Sequence, residues 1–283
     1  MPVGSGLRRL PADRASGQMK VVAIANQKGG VGKTTTAVNL SAALAMRGHP
    51  TLLIDLDPQA NATSGLGLEA EAGATLYPVL VGKKHAADQI IDSRIGNLSL
   101  IPSAMDLSGS EIELARGENH LTRLAEVLEP LRHGRFFEFC LLDTPPSLGV
   151  LMTSALAAAD EVLIPLQCEW YGLEGLAKIV HVIDQIRDSG TSPTVRIEGI
   201  VMTMFDGRTR LSRQVVEEVG NYFPDQLYRT VIPRSVRIGE APSHGLTIFE
   251  HDPLGTGADC YSQLADEFLV RRSASGPLLA KEI

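Results

Sequence analysis

One stretch, Lys28-Gly29-Gly30-Val31-Gly32-Lys33-Thr34-Thr35, constrains this chain more than any other. It follows an apolar run at 21–25 that reads as a buried parallel strand, and it precedes a segment at 36–46 whose alanines and apolar spacing read as a helix. Strand, glycine loop and helix in that order form the context of a phosphate-binding loop. Glycines let the backbone curl so that successive N–H groups face an anion, and the new helix adds its positive end. In such a loop Lys33 reaches the β- and γ-phosphates and the Thr34 hydroxyl ligates Mg²⁺. Glycine-rich turns also serve geometry alone. With Gly-Lys-Thr in register after a strand, the stretch reads as a nucleotide site, with residues from Gly29 to Thr35 against the phosphates.

The remaining composition narrows the class. A chain of 283 residues accommodates one large α/β domain or two small ones, and 44% hydrophobic with 21% charged residues is ordinary for a globular protein. A net charge of −7 excludes a protein that is basic all over, so nucleic-acid contact would need a local patch. Cys140, Cys168 and Cys260 are widely spaced, which suggests neither a disulfide framework nor a metal cluster and fits a reducing cytoplasm. No stretch approaches the roughly 18 apolar residues of a membrane span, so no integral membrane association is expected. Residues 1–18 read as a disordered extension, 19–272 as a single domain, and 273–283 as a flexible tail.

Two more strands end in acids. The run at 51–55 finishes on Asp55, with Asp57 two residues on and Pro58-Gln59-Ala60-Asn61 following; ligands of parallel sheets collect at such carboxyl ends. An Asp-x-Asp-Pro turn capping a helix is the plainer account of the pair. The run at 136–143 closes on Asp143-Thr144-Pro145-Pro146, the arrangement in which a carboxylate holds Mg²⁺ through water, though strand-ending aspartates also cap helices. Further strands near 98–102, 161–166 and 197–206 alternate with helical segments. Alternation of this kind predicts an α/β fold: a doubly wound, mostly parallel sheet with helices on both faces.

Lys28 is not required by the ordinary loop pattern. Its presence immediately before the first glycine resembles the deviant Walker A motif of the ParA/MinD class of P-loop ATPases, and LLIDLDPQANATSGLG, DTPPS, DGRTRLSRQVVEEV and TVIPRSVRIGEAPSHG resemble segments of the ParA/Soj-type partition ATPases. The resemblance runs from Lys20 to Val270. It implies ATP and Mg²⁺ as ligands, an ATP-dependent sandwich homodimer in which Lys28 reaches the partner's phosphates, and Asp57 as the residue that positions the attacking water, with Asp55 near the magnesium. It further implies Pro233 packing on adenine with main chain near Ser235 at its edge, although most relatives carry asparagine at that position. Segment 252–257 departs from the family pattern as well, at the loss of one potential phosphate contact. A ParB-type centromere-binding partner and a nucleoid-associated location in the cytoplasm complete the implied picture.

Between Arg208 and Arg237 stand six arginines against three acids. A solvated helix face accounts for such a run; the resemblance points instead to non-specific double-stranded DNA, with Arg213 and Arg237 the residues selected for phosphate contact. A MinD-like membrane-associated positioning ATPase is the rival reading. It would require a basic amphipathic C-terminal helix, whereas the tail has Gly276-Pro277 and one lysine.

Overall fold

The computed structural model describes residues 18–71, 73–115, 119–170 and 172–274. Seven strands form one sheet in the order β3-β4-β2-β5-β1-β6-β7. They are β1 (Lys20–Ile24), β2 (Thr51–Asp55), β3 (Ile91–Asp92), β4 (Leu98–Ile101), β5 (Phe139–Asp143), β6 (Glu161–Gln167) and β7 (Arg196–Thr203). All neighbours pair parallel except β3 with β4, which is antiparallel. The predicted doubly wound α/β architecture is the one observed.

Around the sheet lie α1 (Lys33–Met46), α2 (Asn61–Gly65), α3 (Tyr77–Leu80), α4 (Leu107–Ala115), α5 (Arg123–Gly134) and α6 (Val150–Ala158). They are followed by α7 (Gly172–Asp188), α8 (Arg210–Tyr222), α9 (Val236–Glu240), α10 (Ile248–His251) and α11 (Thr256–Ala274). Strand alternation divides the core. Val21, Ala23, Leu52, Ile54, Cys140 and Leu142 face one apolar cluster, while Val22, Ile24, Leu53, Leu141 and Leu163 face another that includes Leu40, Leu44, Leu264 and Phe268 of α1 and α11. A central parallel strand buried on both faces has no polar side to show, which is why these strands read as unbroken apolar runs.

Residues Ala86–Gln89 form a 3-10 turn that leads into strand β3. Helix α5 runs through Pro130 to Gly134. Ser273 and Ala274, expected to open the flexible tail, still belong to α11, and the Ser273 hydroxyl donates to the Leu269 carbonyl. Residues 1–17 and 275–283 lie outside the described residues.

At the N-terminal end of the sheet, α11 is anchored by charge. Arg272 pairs with both Glu161 and Glu198, Arg196 pairs with Glu161, and the Tyr228 hydroxyl donates to Glu198 at 2.6 Å. Burial pushes the Glu198 carboxyl above its ordinary value, against the opposing pull of Arg272 and the Tyr228 hydroxyl.

Candidate nucleotide site

Strand β1 delivers the glycine loop to the C-terminal edge of the sheet, where neighbouring strands grip it. Asn26 donates from Nδ2 to the Pro165 carbonyl at 2.9 Å and accepts from the Lys28 amide at 3.1 Å, fixing the entry to β6. The Thr203 hydroxyl donates to the Val31 carbonyl at 2.9 Å, fixing the crest to the end of β7. Gly30 and Gly32 have φ of +73° and +85°. A Cβ on Gly30 would meet no atom within 4 Å, so backbone conformation rather than space demands glycine there. No side chain caps α1, and its leading N–H groups stay available to an anion.

Three acids and one lysine lie behind this loop. Lys33 is 6% exposed, and its Nζ donates to the Lys28 carbonyl at 3.0 Å. Burial lowers its pKa, opposed by the charges of Asp143 and Asp57. Asp55 and Asp143 are register partners on β2 and β5, both without solvent exposure. Neither oxygen of Asp143 has a hydrogen-bond partner among the described residues. Burial first, and then the neighbouring Asp55, push its carboxyl well above the usual range, while the nearby Thr34 hydroxyl opposes the shift. Asp55 differs: its Oδ2 accepts from the Thr63 amide and hydroxyl at 2.9 and 2.7 Å, and its Oδ1 accepts from the Asp57 amide at 3.1 Å. Burial nevertheless raises it to about 6. Asp55 is thus engaged in seating α2, and Asp143 is the acid with free lone pairs.

Asp57 does two things. It caps the turn, accepting from the Gln59 amide at 2.9 Å, as the plainer reading of Asp-x-Asp-Pro expects. It also lines a cleft of about 600 Å³. Gly29, Gly30, Gly32, Lys33, Thr34 and Thr35 form the floor of that cleft, Asn61, Ser64 and Gly65 of α2 one wall, and Met204, Pro242, Ser243 and Leu246 the other. Volume and lining suit a ligand of nucleotide size, with phosphate on the loop and an apolar rim for a base.

Other predicted residues fall elsewhere. Lys28 does not line its own chain's cleft. Its ammonium contacts Glu169 at 2.8 Å, and Glu169 is held in turn by the Gln167 amide at 2.6 Å. Pro233 and Ser235 are also absent from the lining: Pro233 pairs with Phe205 in an isolated bridge, and the Ser235 hydroxyl caps α9. Arg213 is exposed on α8, and Arg237 is exposed on α9, 3.3 Å from Glu240. Sequence reasoning missed the structural roles of Asn26, Glu169 and Thr203, and the cleft positions of Met204 and Ser243. Met204 carries φ of +50°, a strained conformation for a side chain at a cleft rim. The only available signal was position: Asn26, Glu169, Thr203 and Met204 lie at or just after a strand's C-terminal end, whereas Ser243, in the 3-10 turn after α9, carried none.

Comparison with known proteins agrees with this geometry. A protein-family profile described as an AAA domain matches residues 19–197. The sporulation initiation inhibitor protein Soj of Bacillus subtilis is 47% identical over 88% of this chain and 97% of its own length. The chromosome partitioning protein ParA of Myxococcus xanthus is 43% identical over 91% of this chain and 90% of its own. Among solved structures, cobyrinic acid a,c-diamide synthase from Mycobacterium smegmatis, with bound ATP analog and magnesium, superposes with a TM-score of 0.78 at 32% identity, covering 92% of this chain and 97% of that one. With identity at this level along nearly the whole of two such relatives, and a glycine loop, strand-end acids and sheet order that fit it, the chain belongs to the Soj/ParA family of chromosome-partitioning proteins.

Proposed function

We propose that this chain is an ATP-dependent DNA-partitioning ATPase, built as a single domain over residues 19–272. ATP lies in the cleft, two copies close face to face around their nucleotides, and the dimer holds double-stranded DNA without sequence preference. Hydrolysis, slow alone and stimulated by a ParB-type centromere-binding partner, releases it in a nucleoid-associated, cytoplasmic cycle. One observation carries the reading: the loop bears two lysines, and only Lys33 lines the cleft of its own chain. Lys28 sits outside, on a surface ion pair, where a second copy's phosphates can recruit it.

The residues present fit a magnesium ion. Asp143 has both oxygens buried and unpartnered, and the Thr34 hydroxyl stands beside it. Thr34 and Asp143 would hold the ion, with Asp55 behind them; when bound, it neutralises phosphate charge and offsets the repulsion between the two acids. Lys33 and the loop amides bind and orient the phosphates. In this reading Asp57, anchored by its own turn, orients the attacking water. Pro233 and the main chain near Ser235 pack against the base in this reading. Arg213 and Arg237 contact DNA phosphates, which fix position without reading bases.

The decisive experiment measures DNA binding with ATP, ADP and no nucleotide at two salt concentrations. Binding that needs ATP and weakens steeply with salt is expected. Nucleotide-independent or sequence-specific binding would overturn the reading.

A further inference from the structure

The cleft's second wall belongs to a packed unit whose other end carries Arg237. Helix α9 runs directly into the 3-10 turn Ala241–His244, which supplies Pro242 and Ser243 to the cleft. The Ser243 hydroxyl donates to the Glu240 carbonyl at 2.6 Å, and the rings of His244 and His251 stack at 5.1 Å. Helix α9 is thus continuous in the chain with that wall.

This unit meets α2, the segment just after Asp57, at a seam built for close approach. Gly67 and Gly245 both have left-handed φ, +66° and +63°. A Cβ on Gly245 would lie 2.7 Å from the Gly67 Cα, and one on Gly67 would lie 2.8 Å from the Gly245 carbonyl oxygen. Arg94, in the turn after β3, bridges the seam. It donates from Nη1 to the Leu66 carbonyl at 3.0 Å, from Nη2 to the Gly245 carbonyl at 2.6 Å, and from Nε to Glu250 at 3.2 Å. Glu250 in turn closes the capping box that begins α10, accepting from the Thr247 amide at 3.0 Å. A planar guanidinium reaches three fixed acceptors at once in a way an ammonium does not. The opposite end of α2 is seated by Thr63 on Asp55.

We infer that Arg94 is a positioning residue that locks α2 to the 236–251 unit, so that the nucleotide-facing wall and the Arg237 helix move together. It touches neither ligand. Its action is to make a change at Asp57–Gly65 felt at α9, a coupling free energy between two sites. The link to DNA rests on the function proposed above; the link from the cleft to α9 does not.

The test uses the full chain in ATP- and ADP-loaded forms, with Arg94→Ala, Arg94→Lys and Gly245→Ala. Hydrogen exchange is read separately over 28–35 and over α9 at 236–240, apart from the cleft-lining residues Pro242, Ser243 and Leu246, and DNA binding by anisotropy at fixed salt. In the wild type, ATP is expected to protect both segments more than ADP does. In Arg94→Ala the ATP–ADP difference disappears from 236–240 and persists at 28–35; Gly245→Ala, which wedges the seam, does the same, and Arg94→Lys restores part of it. The ratio of DNA affinities in ATP and ADP falls about tenfold in Arg94→Ala, within the roughly 5- to 150-fold range of such couplings. A difference at 236–240 that survives in Arg94→Ala, or is missing in the wild type, overturns the inference. Exchange coupling without any DNA binding by the wild type overturns the DNA reading and leaves the clamp standing.

Discussion

Lys28→Ala separates two consequences that differ greatly in size. In the single chain, Lys28 and Glu169 form an ion pair at 2.8 Å with side chains 31% and 43% exposed. Water screens such a pair, so its removal costs about 0.2–1 kcal/mol of stability. For a chain of this length that lowers the melting temperature by at most about 2–4 °C. In the proposed dimer each lysine instead donates a charge-assisted hydrogen bond to a phosphate, and there are two per assembly. At about 1.5–3 kcal/mol each, losing both weakens the dimer by about 3–6 kcal/mol, or about 10²- to 10⁴-fold in dissociation constant. Static light scattering with ATP and Mg²⁺ across a protein dilution series reads this directly, with thermal melts of the nucleotide-free protein alongside. Lys28→Gln, which keeps most of the stem without the charge, is expected to behave like the alanine variant. ATP-dependent dimers of Lys28→Ala at wild-type concentrations would refute the reasoning, and so would a collapse of its melting temperature.

Other outcomes follow from the same geometry. Asp57→Ala is expected to keep ATP-dependent dimers and lose hydrolysis by roughly 10²- to 10⁴-fold, seen as dimers by scattering without phosphate release. Arg213→Ala and Arg237→Ala each lower DNA affinity for all sequences alike and reduce the slope of log affinity against log salt by about one; a sequence-dependent loss would count against phosphate contact. Glu198 is the clearest pH reporter away from the site. Its carboxyl is raised in the folded state from 4.5, so its stabilising contribution is complete below the unfolded value and is lost as pH rises through the folded one. Urea denaturation from pH 4 upward should show a loss in the wild type that Glu198→Gln lacks, and identical slopes in the two proteins would rule the group out.

Much of the molecule was legible because its signals are local. An apolar run, a glycine loop and an alanine-rich helix lie within thirty residues of one another, and the backbone conformations that the loop needs belong to Gly30 and Gly32 themselves. Asp143 could be read the same way, as the single acid ending a buried strand. The parallel sheet followed from alternation, and strand β3 escaped because two residues carry no periodicity. Contacts across the fold were not legible in that way. Asn26 with Pro165, Lys28 with Glu169 and Thr203 with Val31 are separated by 139, 141 and 172 residues.

Amino-acid order alone therefore determined that this chain makes a phosphate loop backed by strand-end acids. Tertiary structure decided how the acids divide their work. Asp55 and Asp143 both end apolar strands. Only packing gives one of them Thr63 as a partner and leaves the other, beside Thr34, with no hydrogen-bond partner among the described residues, because hydrogen-bond satisfaction depends on which neighbours the fold brings within reach. It likewise decided that Lys33 faces its own cleft while Lys28, five residues earlier, does not: a loop's curl is a local property, but what each side chain meets beyond it belongs to β6 and β7.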